Sequence, residues 1–376
     1  MTPFISKNTS ASSQTLTEQD LAWLNLASAL SIPSKKWLDA IDASGKKPLD
    51  LYRHQSDFPY IQALISKISP SLVERALKWL EREDNRSIIS IDSPFYPKSV
   101  KQLSNPPLVL FVQGCKSLLC APQIAIVGSR RASLQGKSIA ENFAMTLSAR
   151  GVTVTSGLAS GIDGAAHRGS MKEMGGTIAV MGTGPDNCYP TTNLSLAKEI
   201  IEFQGLLVTE FFPGVGPKPW HFPRRNRIIA ALSLGTLVVE AKIKSGTLIT
   251  ANLAADMGRE VFAVPGNIYH AYSEGCHWLI QQGAKLVTNV NDILDEIGVQ
   301  PEQLGLNVDQ QNEKSTANSL ATEKLLASVD YDITAIDVIA QRNAISVSQA
   351  MALLLEYELR GLVAAVPGGY VKLRGK

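Results

Sequence analysis

Between residues 122 and 298 the chain alternates two kinds of apolar run. Short, β-branched runs (QIAIV, GVTVTSG, GTIAVMGTG, GLLVTE, TLVVEA, EVFAVPG and KLVTN) are separated by longer stretches with apolar residues at helical spacing, such as GKSIAENFAMTLSAR and NLSLAKEIIEFQ. Strands that are apolar on both faces and alternate with helices predict a parallel, doubly wound α/β sheet. Glycine follows or ends most of these strands. In such sheets ligands bind at the carboxyl ends of the strands, where the chain order reverses.

The pattern changes on either side. Residues 1–17 read as a polar tail rich in Ser and Thr. Residues 18–86 read as a small helical domain, with Thr17 as the N-cap of LTEQDLAWLNLASAL and apolar residues at helical spacing in SLVERALKWLERE. A proline-broken segment at 87–121 holds one predicted strand, PLVLFV, and joins the alternating region to make a domain over 87–298. Residues 299–318 are polar without an apolar period and predict a linker. Over 319–376, three helices (ATEKLLASV, TAIDVIAQRN, SVSQAMALLLEYELRG), each with a Ser or Thr cap, precede LVAAVPGGYVKL. That run reads as a β-hairpin turning at Pro-Gly-Gly, so the unit is expected to be a winged helix.

Net charge adds little, since 36 basic and 34 acidic residues leave +2 over 376 residues. Its distribution adds more. From Ser93 to Ala140 there is no acid but there are Lys98, Lys101, Lys116, Arg130, Arg131 and Lys137. From Phe211 to Val239 there is again none, beside Lys218, Arg224, Arg225 and Arg227. Two acid-free windows predict one positive surface if the fold joins them. The C-terminal unit balances its charges, and its third helix is apolar and ends acidic. It therefore reads as a protein-contact module rather than a duplex reader. The four cysteines show no C-x-x-C pairing, which argues against a zinc site or a disulfide framework. With neither a signal-peptide h-region nor an apolar run of spanning length, a cytoplasmic protein without a membrane span is expected.

Several loops carry candidate chemistry. IVGSRRASLQGKS joins a strand to a helix and offers Gly128, Ser129 and Arg130 to an anion. Arg131 breaks the P-loop pattern and Arg130 breaks the dinucleotide fingerprint, so neither ATP nor NAD is indicated and no cofactor is expected. TSGLASGIDGAAH supplies Ser156 and Gly157. Its Asp163 and His167, four apart on a helix, suit either an acid/base pair or a helix-start carboxylate with a satisfied histidine. No nucleophile is spaced to join them, which favours the second. MGTGPDNCYP carries Tyr189, suited to base stacking, although a tyrosine beside a proline more often belongs to a core. KSGTLITANLA brings Ser245, Gly246 and Thr247 to another helix start. In HFPRRNRIIAALS three arginines crowd what the pattern predicts to be a helix N-terminus, where cations are disfavoured by about 0.3–1 kcal/mol each. Beside Lys218, Trp220, His221 and Phe222 they fit single-stranded nucleic acid, with cations along phosphates and rings on bases.

AIVGSR, SGLASGIDGAAH, YP followed by Asn193, FPRRNRIIAALS, VVEA, SGTLITA, REVFAVPG and LIQQGAKLV, in this order over about residues 94–297, resemble the signature runs of the DNA-processing protein A (DprA/Smf) family. The resemblance implies an extended Rossmann-like domain flanked by a helical, SAM-like N-terminal domain and a winged-helix-like C-terminal one. It implies a non-catalytic mediator of recombination that binds single-stranded DNA, forms homodimers and helps load RecA in place of single-strand-binding protein during natural transformation. Carried onto this chain, it places Arg130 in the DNA pocket and Phe222, Arg225, Asn226 and Arg227 on its wall. Thr191 and Thr192 stand where many relatives carry a basic residue, and Lys218 is the candidate to replace that contact. The competing enzyme reading, a phosphoribohydrolase, needs a Glu where this chain has Thr250.

Overall fold

A computed structural model describes residues 16–53, 59–298, 325–326 and 328–373. The tail before residue 16, the linker at 299–318 and most of the helix expected at 321–329 lie outside the described residues.

The chain opens with α1 (Glu18–Ala27), α2 (Ser34–Ser44), α3 (Pro48–Arg53), α4 (Pro59–Ile65) and α5 (Pro70–Leu80). Thr17 caps α1 in a reciprocal box with Asp20, as its position predicts. These helices share their core with the sheet that follows. Trp79 meets Phe111 edge-on at 5.8 Å, and Phe111 meets Phe212 at 5.0 Å. The indole N–H of Trp23 donates to Asp92 at 2.8 Å.

The strands are β1 (Arg86–Ser90), β2 (Val109–Gly114), β3 (Gln123–Val127), β4 (Thr153–Ser156), β5 (Thr177–Val180), β6 (Leu206–Thr209), β7 (Gly235–Val238), β8 (Glu260–Ala263) and β9 (Lys285–Leu286). They form one sheet in the order β1-β2-β6-β5-β4-β3-β7-β8-β9. From β6 to β9 all neighbours are parallel, whereas β2 pairs antiparallel with both β1 and β6. The sheet is therefore mostly parallel, with an antiparallel pair at one edge. β1 was not expected. Its RSIIS follows a charged stretch, yet from Ser87 to Ser90 it is buried.

Helices α7 (Leu134–Ala149), α8 (Ile162–Ser170) and α9 (Leu194–Glu202) connect β3 to β6; the short α6 (Lys98–Lys101) precedes β2. The order then reverses. Helix α10 (His221–Leu232) carries the chain back to lay β7 beside β3. Helices α11 (Gly246–Asp256), α12 (Glu274–Gln281) and α13 (Asn291–Ile297) complete the second half. The β3/β7 boundary is the topological switch point, where an open α/β sheet has its ligand crevice.

The C-terminal unit has its own core of Leu325, Val329, Ile339, Leu354, Tyr357 and Val363. Helices α14 (Ile336–Asn343) and α15 (Val347–Leu359) precede a hairpin of β10 (Val363–Val366) and β11 (Gly369–Lys372), joined by Pro367 and Gly368. Ala335, not Thr334, is the N-cap of α14, because Thr334 pairs by both backbone groups with Tyr370. Among the described residues no helix is long and apolar enough to cross a membrane.

Ser346 caps α15 in a box with Gln349. Ser346→Ala is expected to remove about 1 kcal/mol of stability from this unit. Faster amide hydrogen exchange along α15, with exchange in the nine-stranded sheet unchanged, would register it.

Candidate nucleic-acid interface

A cleft of about 700 Å³ opens at the switch point. Its floor is the loop after β3, Gly128 to Arg130, and the loop after β7, from Ala241 to Thr247. The segment from Pro217 to Asn226, entering α10, forms the facing wall. The β3 loop is fixed by its backbone: Ser129 N–H donates to the Glu240 carbonyl at 2.7 Å, and its carbonyl accepts from Ile162 N–H at 3.2 Å. At the α11 start, Asn226 donates to the Gly246 carbonyl at 3.3 Å, tying the wall to the floor.

The three arginines of α10 have separate fates. The helix begins at His221 with Trp220 as N-cap, earlier than expected, so the arginines lie in its second turn. The dipole penalty falls off within the first turn, so the expected conflict is largely removed. Arg224 and Arg227 both donate to one oxygen of Glu210, at 2.8 and 2.6 Å, and the Glu210 side chain is only 2% exposed. Arg227 also donates to the Asn105 carbonyl at 3.0 Å, while the Asn105 side chain accepts from Ser34 and Lys35 at the start of α2. Arg225 is buried and donates to the Val180 carbonyl at the end of β5. Gly157 makes room for it: a Cβ there would lie 2.2 Å from the guanidinium.

Most of the predicted site residues meet at the cleft. Gly128, Ser129, Arg130, Lys218, Phe222, Arg225, Asn226, Ser245, Gly246 and Thr247 line it. Arg227 does not reach the wall expected of it, because Glu210 and Asn105 hold it on another side of α10. Ser156 and Gly157 lie beneath: the Ser156 hydroxyl donates to the Ile126 carbonyl at 2.6 Å, and Gly157 N–H donates to Asp163 at 3.1 Å. Phe222 packs against Gly182, where a Cβ would come within 2.8 Å of its ring. The Arg130 guanidinium lies over its ring, 5.5 Å from the centroid, and the Tyr189 ring meets it at 5.3 Å, tilted by 43°.

Lys242, Lys244 and Tyr272 also line the cleft, without having been singled out by sequence, as does Tyr189, which the sequence leaves between base stacking and core. Lys242 lies 5.2 Å from the Tyr272 ring. The two lysines follow Glu240, which closes the acid-free window; the K-x-K spacing just ahead of the glycine loop was the usable signal. Arg130, Lys218, Arg225, Lys242 and Lys244 thus face a cleft whose lining holds one carboxylate, Asp163.

Residues 87–298 match the family described as DNA recombination-mediator protein A, and residues 310–369 match the DprA winged helix domain. The chain is 45% identical to Protein Smf of Escherichia coli (strain K12) over 309 residues, 80% of this chain and 81% of that protein. The chain belongs to the DprA/Smf family. It is 44% identical to DNA processing protein DprA of Bacillus subtilis over 57% of this chain and 73% of that one. DprA of Streptococcus pneumoniae superposes with a TM-score of 0.60 at 34% identity, covering 75% of this chain and 99% of that one. DprA of Helicobacter pylori, whose structure is described for its single-stranded DNA binding mode, gives 0.52 at 28% identity, covering 56% and 95%.

In this DprA/Smf chain, Asp163 and His167 are both occupied by the backbone they support. Asp163 accepts from the N–H groups of Gly157 and, at 3.4 Å, Ala159. Burial raises its pKa, against the pull of Arg225 and those two donors. Burial, with Arg225 and Arg168 nearby, brings His167 down to about 3. The imidazole is therefore neutral. Its Nε2 accepts from Leu158 N–H at 3.3 Å, which leaves the proton on Nδ1 to donate to Thr177 at 2.8 Å. Leu158 needs this support, being a non-glycine residue at φ +57°. Asn193, of the YP-containing signature, holds the Leu158 carbonyl from the other side at 2.9 Å. Burial, opposed by Asp163, lowers Arg225 to about 10, so it stays cationic at neutral pH. Among the described residues no group of three His, Cys, Asp or Glu side chains is placed to hold a metal.

Two outcomes are expected. Glu210→Ala strands two guanidinium groups and should cost about 2–3 kcal/mol, since Arg224 is half exposed and Arg227 carries most of the loss; the urea-unfolding midpoint reads it. His167 must gain a proton when the chain unfolds below about pH 6.5, while the folded state resists protonation down to about 3. Its contribution is thus present at neutral pH and is lost on acidification through that window, by up to about 1.4 kcal/mol per pH unit. His167→Gln should flatten the parent's fall in unfolding free energy between about pH 6 and about pH 4 by one proton's worth.

Proposed function

We propose that this protein binds single-stranded DNA in the switch-point cleft and acts without catalysis. The observation that carries this reading is the lining itself: five cations against one carboxylate that is engaged with backbone N–H groups, beside the aromatic rings of Phe222 and Tyr189. Phosphates would lie against Arg130, Lys218, Lys242 and Lys244, and against the amides that open α11, while bases would contact the rings. The single-stranded DNA binding mode described for H. pylori DprA supports the same ligand here. The non-catalytic reading is supported by Thr250, which occupies the position of a phosphoribohydrolase glutamate, and by the structural engagement of Asp163 and His167. In the role implied by the family resemblance, a homodimer would receive single strands in the cytoplasm, protect them and load RecA in place of single-strand-binding protein during natural transformation. Two clefts on one strand would add avidity.

Oligo-dT affinity measured across a salt series tests the cleft. Log affinity should fall linearly with log salt, by about 0.7 for each neutralised phosphate. Arg130→Ala and Lys218→Ala are each expected to shallow that slope by about 0.7. Arg227→Ala should leave the slope unchanged and lower thermal stability instead. A parent protein that binds duplex as well as single strand, or whose slope neither cleft variant alters, would refute this reading.

A further inference from the structure

Trp220 has no packing role that accounts for it. It is 65% exposed, whereas Trp23, Trp37 and Trp79 are buried and Trp278 packs against the core. Its ring meets His221 edge-on at 6.0 Å, which leaves most of the indole in solvent. Exposing a large apolar ring forgoes the burial free energy that the other tryptophans gain.

A turn fixes the backbone that carries this ring. His221 N–H donates to the Lys218 carbonyl at 3.0 Å, closing a four-residue turn from Lys218 to His221. Pro219 occupies the second position, which favours its fixed φ, and Trp220 the third, at φ −77° and ψ −12°, as a type I turn requires. Pro217 and Pro219 flank Lys218 and restrict it further. The backbone that carries the ring is therefore set before any ligand arrives, so little backbone entropy remains to be lost on contact.

The turn also joins the ring to the cleft. Pro217, Lys218 and Pro219 line the cleft, and the Lys218 ammonium lies 5.5 Å from the Trp220 centroid. A cation beside an exposed aromatic face is the pairing that single-stranded nucleic acid uses, with the phosphate on the amine and the base on the ring. Trp220 itself does not line the cleft, so a base stacked there belongs to a nucleotide beyond those the cleft contains.

We propose that Trp220 is a second stacking platform, which takes an unpaired base as the strand leaves the cleft over Lys218. This rests on the cleft binding single-stranded DNA. It extends the site outward along the Pro217–Trp220 turn, and the ring acts on bases without reading their hydrogen-bonding edges.

The test uses the full chain and a dye-labelled oligo-dT long enough to pass beyond the cleft. Affinity by fluorescence polarisation is followed alongside tryptophan emission. The parent's emission should be quenched on binding. Trp220→Phe should abolish most of that quenching while keeping affinity within about twofold, and Trp220→Ala should weaken binding by about five- to a hundredfold. On an oligomer with abasic sites throughout, parent and Trp220→Ala should bind alike. The platform is overturned if Trp220→Ala binds oligo-dT as tightly as the parent while Arg130→Ala is impaired, an outcome that leaves the cleft reading intact. It is also overturned if Trp220→Ala is equally weakened on the abasic strand, or if Trp220→Phe leaves the quenching unchanged. A parent that binds no single strand sinks both readings.

Discussion

The carboxylate of Glu210, almost wholly withdrawn from solvent, accepts hydrogen bonds from Arg224 and Arg227, and the seating of α10 depends on that pairing. Two cations three residues apart on one helix would repel each other and resist burial. One shared oxygen at the end of β6 turns that liability into an anchor. Arg227 passes the constraint on to Asn105 and so to the start of α2. The N-terminal helices are thus linked through Asn105 to the helix that forms the cleft wall, and supporting that wall is one structural task they perform.

The anchoring divides the basic residues into two sets. Arg224 and Arg227 meet a carboxylate inside the protein, and Arg225 meets the Val180 carbonyl with Asp163 nearby. Arg130, Lys218, Lys242 and Lys244 form no ion pair among the described residues and flank the cleft. The first set fixes the frame, and the second gives the cleft its positive potential. An anion entering there would displace water rather than a protein carboxylate, which keeps the cost of binding low.

Much of this was legible in the chain. The parallel strands, the glycine turns that end them and the hairpin after α15 follow from apolar periodicity and turn chemistry. The meeting of the β3 and β7 loops is a matter of strand order, which no local pattern encodes. β1 escaped notice because a charged stretch precedes it and prolines follow, though its buried pairing with β2 overrides that context. The arginine cluster stands out in the sequence, but the sequence does not show that two of its members pair with a carboxylate inside the protein. Its counter-charge, Glu210, lies just outside the acid-free window, 17 residues from Arg227. For the same kind of reason Glu240 hid Lys242 and Lys244. A carboxylate withdrawn into the protein interrupts a basic run in sequence without interrupting it in space.

The contact between Gly157 and the Arg225 guanidinium bears on how such a site can drift. The two positions come from different strand–helix units, yet a methyl group at 157 would occupy the volume the arginine needs. An arginine lost from 225 would in turn leave a hole over Asp163 that glycine cannot fill. A Cβ at 157 forces the guanidinium away from the Val180 carbonyl, so either change made first costs stability and the two positions are coupled. A descendant that remodels this wall has to pass through a less stable intermediate or leave both residues as they are.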